Sequence, residues 1–126
     1  MILKDKKIFI ATPIYEEGVD EMLSWKQPLM GWGAAIVYCP AYDTGKFYSL
    51  SAENRMRQIV SDLSTGPAHT YKDKNYFDIL VSSRHIGYWD ELAIQAQITT
   101  AELLGMETYG ISEIAREYDF KKYTIA

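Results

Sequence analysis

The sequence predicts a small doubly wound α/β domain, in which a parallel sheet of four to five strands lies between two layers of helices. Two observations predict this three-layer fold. Four short apolar runs, each bounded by proline, glycine or polar residues, are typical of buried strands. Between these runs, apolar residues recur at every third or fourth position, as they do in helices that cover a sheet. Strands and helices that alternate in this way form parallel sheets with right-handed crossovers, as in flavodoxin-like and Rossmann-like domains.

Each predicted strand ends where the composition of the chain changes. Residues 8–11 are an unbroken apolar run, and Pro13 ends the first strand because proline cannot donate to a strand ladder. Pro40 ends the second strand for the same reason. We predict the four strands at residues 7–12, 34–39, 76–82 and 107–111.

The predicted helices are recognised by apolar stripes and by residues that start or stop a helix. Acidic residues occupy the first turns of residues 16–26, where the helix dipole favours them, and Pro28 ends or kinks that helix. Ser51 is a good N-cap for the second helix, which ends at Gly66. We predict the third helix at residues 89–104, the fourth from Ser112, and loops at residues 42–48 and 68–75.

Length, charge and hydropathy limit the classes of protein to consider. The chain has 126 residues, so we expect a single α/β domain over residues 1–126. A net charge of −4 argues against nucleic acid as a partner. No apolar run approaches the roughly 18 residues that span a bilayer, so we expect no membrane partner. The apolar stretch near the N-terminus is too short for a signal peptide, which predicts a cytoplasmic protein.

Cysteine and histidine usage gives no sign of a metal or redox site. Cys39 is the single cysteine, so the chain cannot form an internal disulfide. His69 and His85 have no cysteine or second histidine at the spacing of a zinc finger or a metalloprotease. We therefore expect neither a metal nor a cofactor.

The most informative segment for chemistry is residues 82–91, which follows the third predicted strand. Ligands of open α/β sheets bind beyond the carboxyl ends of the strands. Gly87 allows a close approach of backbone to ligand, and Glu91 falls at a helix start, where the dipole stabilises its ionised form. An ionised carboxylate is what a nucleophile on a sugar carbon requires. Alternatively, Asp90 and Glu91 are first-turn acids that stabilise only the helix.

Two segments resemble the nucleoside 2-deoxyribosyltransferase-like superfamily. The run from Gly87 through Glu91 and the leucine after it resembles the G-x-x-x-E-L segment of that family, in which the glutamate attacks the anomeric carbon of the sugar. The opening strand with Pro13, Ile14 and Tyr15 is similar to the family's first strand, whose aromatic residue lines the base pocket. The resemblance implies Glu91 and Tyr15 as catalytic residues, Pro13, Ile14 and Gly87 as substrate contacts, and a nucleoside or nucleotide as substrate.

The sequence departs from the family just before Gly87. Family members usually carry one or two aspartates there, whereas this chain has Ser82, Ser83, Arg84 and His85. Hydroxyl and guanidinium groups suit a 5′-phosphate, so Ser83 and Arg84 are candidate substrate contacts that favour nucleoside monophosphates. The alternative is a solvated loop. Outside this run, Asn54 at the start of the second helix is a further candidate contact, since it faces the same end of the sheet.

Three classes of function are consistent with these residues. The first is transfer or hydrolysis of an N-glycosidic bond through Glu91. The second is a non-catalytic nucleotide-binding module of the same fold. The third is a fragment of a sugar-nucleotide glycosyltransferase, which is disfavoured because the chain contains no Asp-x-Asp to hold a divalent metal.

The third predicted helix also predicts an assembly. A helix that is apolar on more than one face is normally covered on both sides. The family resemblance implies the same, since family members complete their pockets across subunits. We therefore expect a homo-oligomer, a dimer or a multiple of dimers. The apolar residues of this helix are Leu92, Ala93, Ile94, Ala96, Ile98, Ala101, Leu103 and Leu104.

Overall fold

A computed structural model gives the arrangement of most of the chain. It describes residues 3–11, 24–43, 46–66, 76–82 and 88–124, without the side chains of residues 42–43, 88–91 and 119–124.

The described residues form four strands and five α-helices that alternate along the chain. Strands β1 to β4 span Lys7–Ile10, Ile36–Tyr38, Ile79–Ser82 and Glu107–Gly110. Helices α1 to α5 span Lys26–Gly31, Pro40–Asp43, Ala52–Thr65, Tyr88–Leu103 and Ile111–Thr124. A short 3-10 turn, Phe47–Ser49, lies between α2 and α3.

The four strands form one parallel sheet in the order β2-β1-β3-β4. Ile8 of β1 pairs with Val37 on one side and with Ile79 on the other, and Leu80 of β3 pairs with Thr108 of β4. The chain therefore moves from β1 outwards to β2, crosses back to β3, and continues to β4. This reversal of direction confirms the doubly wound α/β fold that the alternation of apolar segments predicts.

The helices lie on both faces of the sheet. The crossovers β2–α3–β3 and β3–α4–β4 run in the same direction, so a right-handed path puts both helices on one face, where they pack side by side. On the opposite face, the ring of Trp32 at the end of α1 stacks on Tyr118 of α5 at 5.4 Å. The result is three layers with the sheet in the middle.

Strand β1 is the centre of the core. Ile8, Phe9 and Ile10 are all buried, as a central parallel strand with helices on both faces requires. The ring of Phe9 packs edge-on against Phe77 at 5.2 Å. Each such side chain contributes about 1.5–3 kcal/mol when it is fully removed from water. The buried apolar residues around them are Leu3, Leu29, Val37, Cys39, Phe47, Ile59, Leu63, Ile79, Leu80, Val81, Ile94, Ala101 and Ile114.

The residues before β1 are hydrogen-bonded to α5 and to the turn that follows α1. Leu3 is fully buried, and its backbone N–H donates to the hydroxyl of Tyr118 at 2.9 Å. The N–H of Asp5 donates to the carbonyl of Gly33 at 2.9 Å. Gly33 has φ +115°, and a Cβ there would lie 3.2 Å from the Cα of Lys4, so this contact requires glycine.

The helical backbone is interrupted at Trp25, between Ser24 and α1, and the prediction that Pro28 ends or kinks the first helix stays a prediction. Helix α1 spans Lys26–Gly31 and contains Pro28 in its first turn. Proline is tolerated there because a first-turn N–H has no partner within the helix. The carbonyl of Pro28 still accepts from the N–H of Trp32 at 2.9 Å. Most of the helix predicted at residues 16–26 lies outside the described residues.

Other boundaries also differ from the prediction, and strand β3 begins at Ile79 instead of residue 76. Residues 42–48 are not a plain loop, because Pro40 starts the helical turn α2 and a 3-10 turn follows at Phe47–Ser49. Strand β2 begins at Ile36 instead of residue 34, since the N–H of Ala34 donates to the carbonyl of Leu29 at 3.2 Å and closes α1. The predicted loop at residues 68–75 lies outside the described residues.

A buried carboxyl group ties α3 to strand β2. The hydroxyl of Tyr38 donates to Oδ2 of Asp62 at 2.8 Å, and Nε2 of Gln58 donates to Oδ1 at 2.9 Å. Asp62 is 1% exposed. Burial raises the pKa of Asp62, although the hydrogen bonds from Tyr38 and Gln58 act in the opposite direction. Asp62 therefore links α3 to the edge strand β2. Its burial disfavours the ionised form of the carboxyl group.

We expect Asp62→Asn to remove a pH-dependent part of the stability. Because the folded state raises the pKa, it holds the proton more tightly than the unfolded chain does. The free energy of unfolding of the native protein should therefore fall, relative to that of the variant, as the pH rises above about 4. Urea unfolding of both proteins between pH 4 and pH 7 measures this difference.

Tyr38→Phe is the matched control for this experiment. It removes a donor that favours the ionised carboxylate, so the dependence on pH should become steeper. A constant difference between the native protein and Asp62→Asn across the pH range would contradict the role assigned to burial.

Candidate functional site

The fold defines one place where the connections of the sheet diverge. Strands β1 and β3 are neighbours, but the chain leaves β1 towards β2 and leaves β3 towards β4. The N–H of Ala11 donates to the carbonyl of Val81 at 2.8 Å, so the two strands remain paired to their carboxyl ends. In open parallel sheets, ligands bind in the crevice outside such a switch point. The carboxyl ends of β1 and β3 are therefore the candidate functional site.

Most of the site residues predicted from the sequence follow these two strands directly. Pro13, Ile14 and Tyr15 follow β1, and Ser83, Arg84 and Gly87 follow β3. All six lie outside the described residues, so their contacts stay predictions. What the strand order adds is that the two segments leave the sheet from adjacent strands.

Glu91 falls in the first turn of α4. This helix begins at Tyr88, one residue before the predicted start. The unpaired N–H groups of a first helical turn carry a partial positive charge, which favours a carboxylate at this end. The side chain of Glu91 is outside the described residues, so its place in the candidate site stays a prediction.

Asn54 lies in the connection that follows β2, the edge strand. The hydroxyl of Ser51 accepts from the N–H of Asn54 at 3.2 Å, which confirms Ser51 as the N-cap of α3. The side chain of Asn54 is exposed. Strand β1 separates this connection from the one that follows β3, so Asn54 lies at the rim of the site and not at its centre.

The segment before α3 is held by an arginine. Nη2 of Arg55 donates to the carbonyl of Tyr48 at 3.1 Å, and its guanidinium lies 5.2 Å from the centre of the Tyr48 ring. These contacts fix the 3-10 turn against the start of α3. Arg55 therefore stabilises the connection between the 3-10 turn and α3.

Two buried polar residues, Ser82 and Gln97, are not apparent from the apolar pattern. Ser82 is buried at the end of β3, opposite Gly110 in the last register pair with β4. Gln97 is fully buried on the inner face of α4, between Ile94 and Ala101. Its spacing from those two residues is the signal that could have identified it, because all three lie on one helical face.

A glutamate side chain caps the start of α5, which follows β4 directly. Oε1 of Glu113 accepts from the N–H of Gly110 at 3.1 Å, as the third residue of a capping box does. The hydroxyl of Tyr109 donates to Oε2 of Glu107 at 2.8 Å. This hydrogen bond, with a smaller contribution from burial, raises the pKa of Tyr109, so its phenol stays protonated at neutral pH.

A shallow apolar groove lies on the outer face of α3, and it begins at Glu53, near the start of that helix. Glu53 and Arg57 at its edge form an exposed ion pair at 2.7 Å, which contributes little stability. Among the described residues, the groove is lined by Glu53, Met56, Arg57, Val60 and Ser61.

Two negative findings concern the described part of the chain. Within it, no three His, Cys, Asp or Glu side chains are grouped so that they could hold a metal ion. None of its helices is both long enough and apolar enough to cross a membrane.

Comparison with protein-family models, with curated proteins and with solved structures gives no match for this chain. The resemblance to the nucleoside 2-deoxyribosyltransferase-like superfamily therefore rests on the two sequence segments that follow β1 and β3.

We expect Ser51→Ala to destabilise the protein by about 1 kcal/mol, because the N–H of Asn54 loses its acceptor at the start of α3. Urea unfolding measures the change. Ser61→Ala is the matched control, since this exposed residue lies inside the same helix, where alanine is favoured. Equal effects of the two substitutions would show that the cap contributes nothing.

Proposed function

We propose that this chain cleaves the N-glycosidic bond of a nucleoside or a nucleoside 5′-monophosphate, with Glu91 as the nucleophile. The observation that supports this most is the strand order β2-β1-β3-β4. It brings the chain that leaves β1 and the chain that leaves β3 to adjacent carboxyl ends. These are the two segments that resemble the deoxyribosyltransferase-like family, although more than 60 residues separate them in the sequence.

The first step of the proposed reaction is attack on the sugar. A carboxylate oxygen of Glu91 forms a bond to the anomeric carbon, and the C–N bond breaks with its electron pair leaving on the base. The transition state has oxocarbenium character, so the ionised carboxylate stabilises the positive charge before it bonds. The first turn of α4 supports this state, because its N–H groups keep the carboxylate ionised.

The second step returns the enzyme to its starting form. Water, or an N–H nitrogen of a second base, attacks the same carbon and displaces the carboxylate of Glu91, and the proton that it loses goes to the base released in the first step. With water the protein is a hydrolase, and with a second base it is a transferase. No step requires a metal or an organic cofactor.

The remaining predicted residues bind substrate in this proposal. Tyr15, with Pro13 and Ile14, borders the base and positions the nucleophile. Ser83 and Arg84 bind the sugar or its 5′-phosphate through a hydroxyl and a guanidinium. Gly87 lets the backbone approach the substrate, and Asn54 contributes from the rim of the site.

A non-catalytic nucleotide-binding module is the second candidate function. It is favoured by the position of Asp90 and Glu91 in the first turn of a helix, where acidic residues are common for reasons of helix stability alone. The same carboxylate that serves as a nucleophile in the first proposal only stabilises the helix in the second. A cytoplasmic homo-oligomer is compatible with both.

We expect Glu91→Gln to lower the release of free base by about 10⁴-fold or more, because the amide cannot act as a nucleophile. The protein is incubated with a mixture of nucleosides and nucleoside 5′-monophosphates, and chromatography measures free base. Ligand affinity and the circular dichroism of the variant should stay close to those of the native protein, since glutamine preserves size and hydrogen bonding.

Asp90→Asn is the matched control, because adjacent residues on a helix point about 100° apart. It should lower base release less than about 10-fold. Equal and modest losses in the two variants would favour the binding module. Absence of base release by the native protein, with any nucleoside or monophosphate, would overturn the enzymatic proposal.

We expect Arg84→Gln to lower kcat/KM for a nucleoside 5′-monophosphate by about 10- to 100-fold, because a charge-assisted hydrogen bond to phosphate is lost. The value for the free nucleoside should not change. Arg57→Gln is the control, since this exposed arginine pairs with Glu53 on the outer face of α3. An equal loss with nucleoside and monophosphate would refute a phosphate contact by Arg84.

A further inference from the structure

The carboxyl ends of three neighbouring strands carry a row of small residues. Ser82 of β3 pairs with Gly110 of β4 in the last register position of these strands. The N–H of Ala11 donates to the carbonyl of Val81 at 2.8 Å, and in a parallel ladder this bond places Ala11 beside Ser82. Ala11, Ser82 and Gly110 form the small-residue row, which spans about 10 Å because neighbouring strands lie about 4.8 Å apart.

The small-residue row lies on the face of the sheet that α3 and α4 cover. Phe9 pairs with Tyr38 and with Leu80, so these three side chains share a face. The hydroxyl of Tyr38 donates to Asp62 of α3, which identifies this face. Ser82 follows Leu80 by two positions, so its side chain is on the same face. The side chains on this face therefore change from large to small at the end of the sheet, and the row contributes little side-chain volume at the switch point.

Ser82 supplies the polar side chain of this row. It is 7% exposed, whereas Leu80 and Val81 before it are 0% and 1% exposed. Among the residues that the structure describes, none is hydrogen-bonded to its hydroxyl. A buried hydroxyl without a partner destabilises a protein, so native structures rarely leave one unused. A ligand that reaches the end of β3 would supply the missing partner.

We propose that the small-residue row holds the pentose of the substrate, and that the hydroxyl of Ser82 is hydrogen-bonded to one of the sugar hydroxyls. The identity of this ligand rests on the proposed function, in which Glu91 must reach the anomeric carbon. The chain that leaves Ser82 leads directly to α4, whose first turn contains Glu91, and α4 covers the face on which the row lies. A sugar hydroxyl donates and accepts, as the hydroxyl of serine does, so the two groups suit each other.

The other two parts of a nucleotide fit this row less well. Oε1 of Glu113 accepts from the N–H of Gly110 at 3.1 Å, so a carboxylate lies at one end of the row. A phosphate at the row would be repelled by this negative charge. A base stacks on aromatic or broad apolar surfaces, whereas the row offers one methyl group and one hydroxyl. The uncharged sugar, which has several hydroxyls, is the part that suits the row.

The experiment measures how binding depends on the sugar hydroxyls. The ligands are the 5′-monophosphates of adenine, guanine, cytosine and uracil nucleosides, each with ribose, 2′-deoxyribose, 3′-deoxyribose or 2′,3′-dideoxyribose. Equilibrium dialysis gives their dissociation constants with Glu91→Gln, which keeps the ligand intact. Adding Ser82→Ala should weaken binding about 5- to 100-fold for the sugars that retain the bonded hydroxyl, because that hydroxyl loses its partner. Binding of the 2′,3′-dideoxy form should not change.

Two further variants separate the hydroxyl from the space around it. Thr108→Val is the matched control, since it removes a hydroxyl from the same face of β4, before Gly110, and should change no dissociation constant. Ser82→Thr retains the hydroxyl but adds a methyl group to the row, so it should weaken binding of every sugar, the dideoxy form included. Circular dichroism and urea unfolding check that each variant is folded.

The outcomes distinguish this inference from the proposed reaction. If the native protein releases no base but Ser82→Ala weakens binding of some sugars and not of the dideoxy form, the reaction is refuted and the pentose site is supported. If the native protein releases base and Ser82→Ala affects all sugars equally or none, the pentose site is refuted and the reaction stands. Absence of binding by every ligand would overturn both.

Discussion

The pairing of β1 with β2 on one side and β3 on the other is the constraint on which the rest of the molecule depends. Because all pairs are parallel, the chain must cross over one face of the sheet to reach β2 and over the other face to reach β3. Both faces of β1 are therefore covered, and Ile8, Phe9 and Ile10 are buried as a consequence. The divergence of the two connections also creates the crevice at the carboxyl ends, so a single topological choice determines both the core and the candidate site.

Hydrogen bonds between buried polar groups fix the position of a helix relative to the sheet. The hydrogen bond from Tyr38 to Asp62 joins the edge strand β2 to a residue of α3 that lies 24 positions later in the sequence. Loss of one partner would leave a buried group without its hydrogen bond, which costs more than a good pair contributes. Such contacts fix where α3 lies along β2, whereas apolar packing alone tolerates small shifts.

The sequence predicts the elements well where local chemistry determines them. The run after Lys7 is a strand because it is apolar and short, and α3 starts at Ser51 because the hydroxyl caps it. Pro28 lies in the first turn of the short helix α1, and its effect on the helix predicted before it stays a prediction. Periodicity also does not reveal the pairing of Asp62 with Tyr38, which depends on how two distant segments are brought together.

The candidate site is predictable in position and not in its contacts. A strand that ends before a polar segment indicates where a ligand would lie, and this reasoning singles out residues 12–17, 40–51 and 82–91. Which of their side chains meet depends on strand order, which no local pattern contains. The sequence also shows that α4 is apolar on more than one face, but the burial of Ile94, Gln97 and Ala101 identifies the inner face only in the structure.

The attachment of Leu3 to Tyr118 has a consequence for how the chain matures during translation. β1 leaves the ribosome early, and β2 can pair with it soon afterwards, but its other edge stays open until β3 has been made. Leu3 finds its hydrogen-bond partner only when α5 emerges, 115 residues later. Contacts this distant in sequence form late and slowly. An apolar strand therefore stays exposed in the nascent chain until β3 has been made, a state that molecular chaperones are suited to protect.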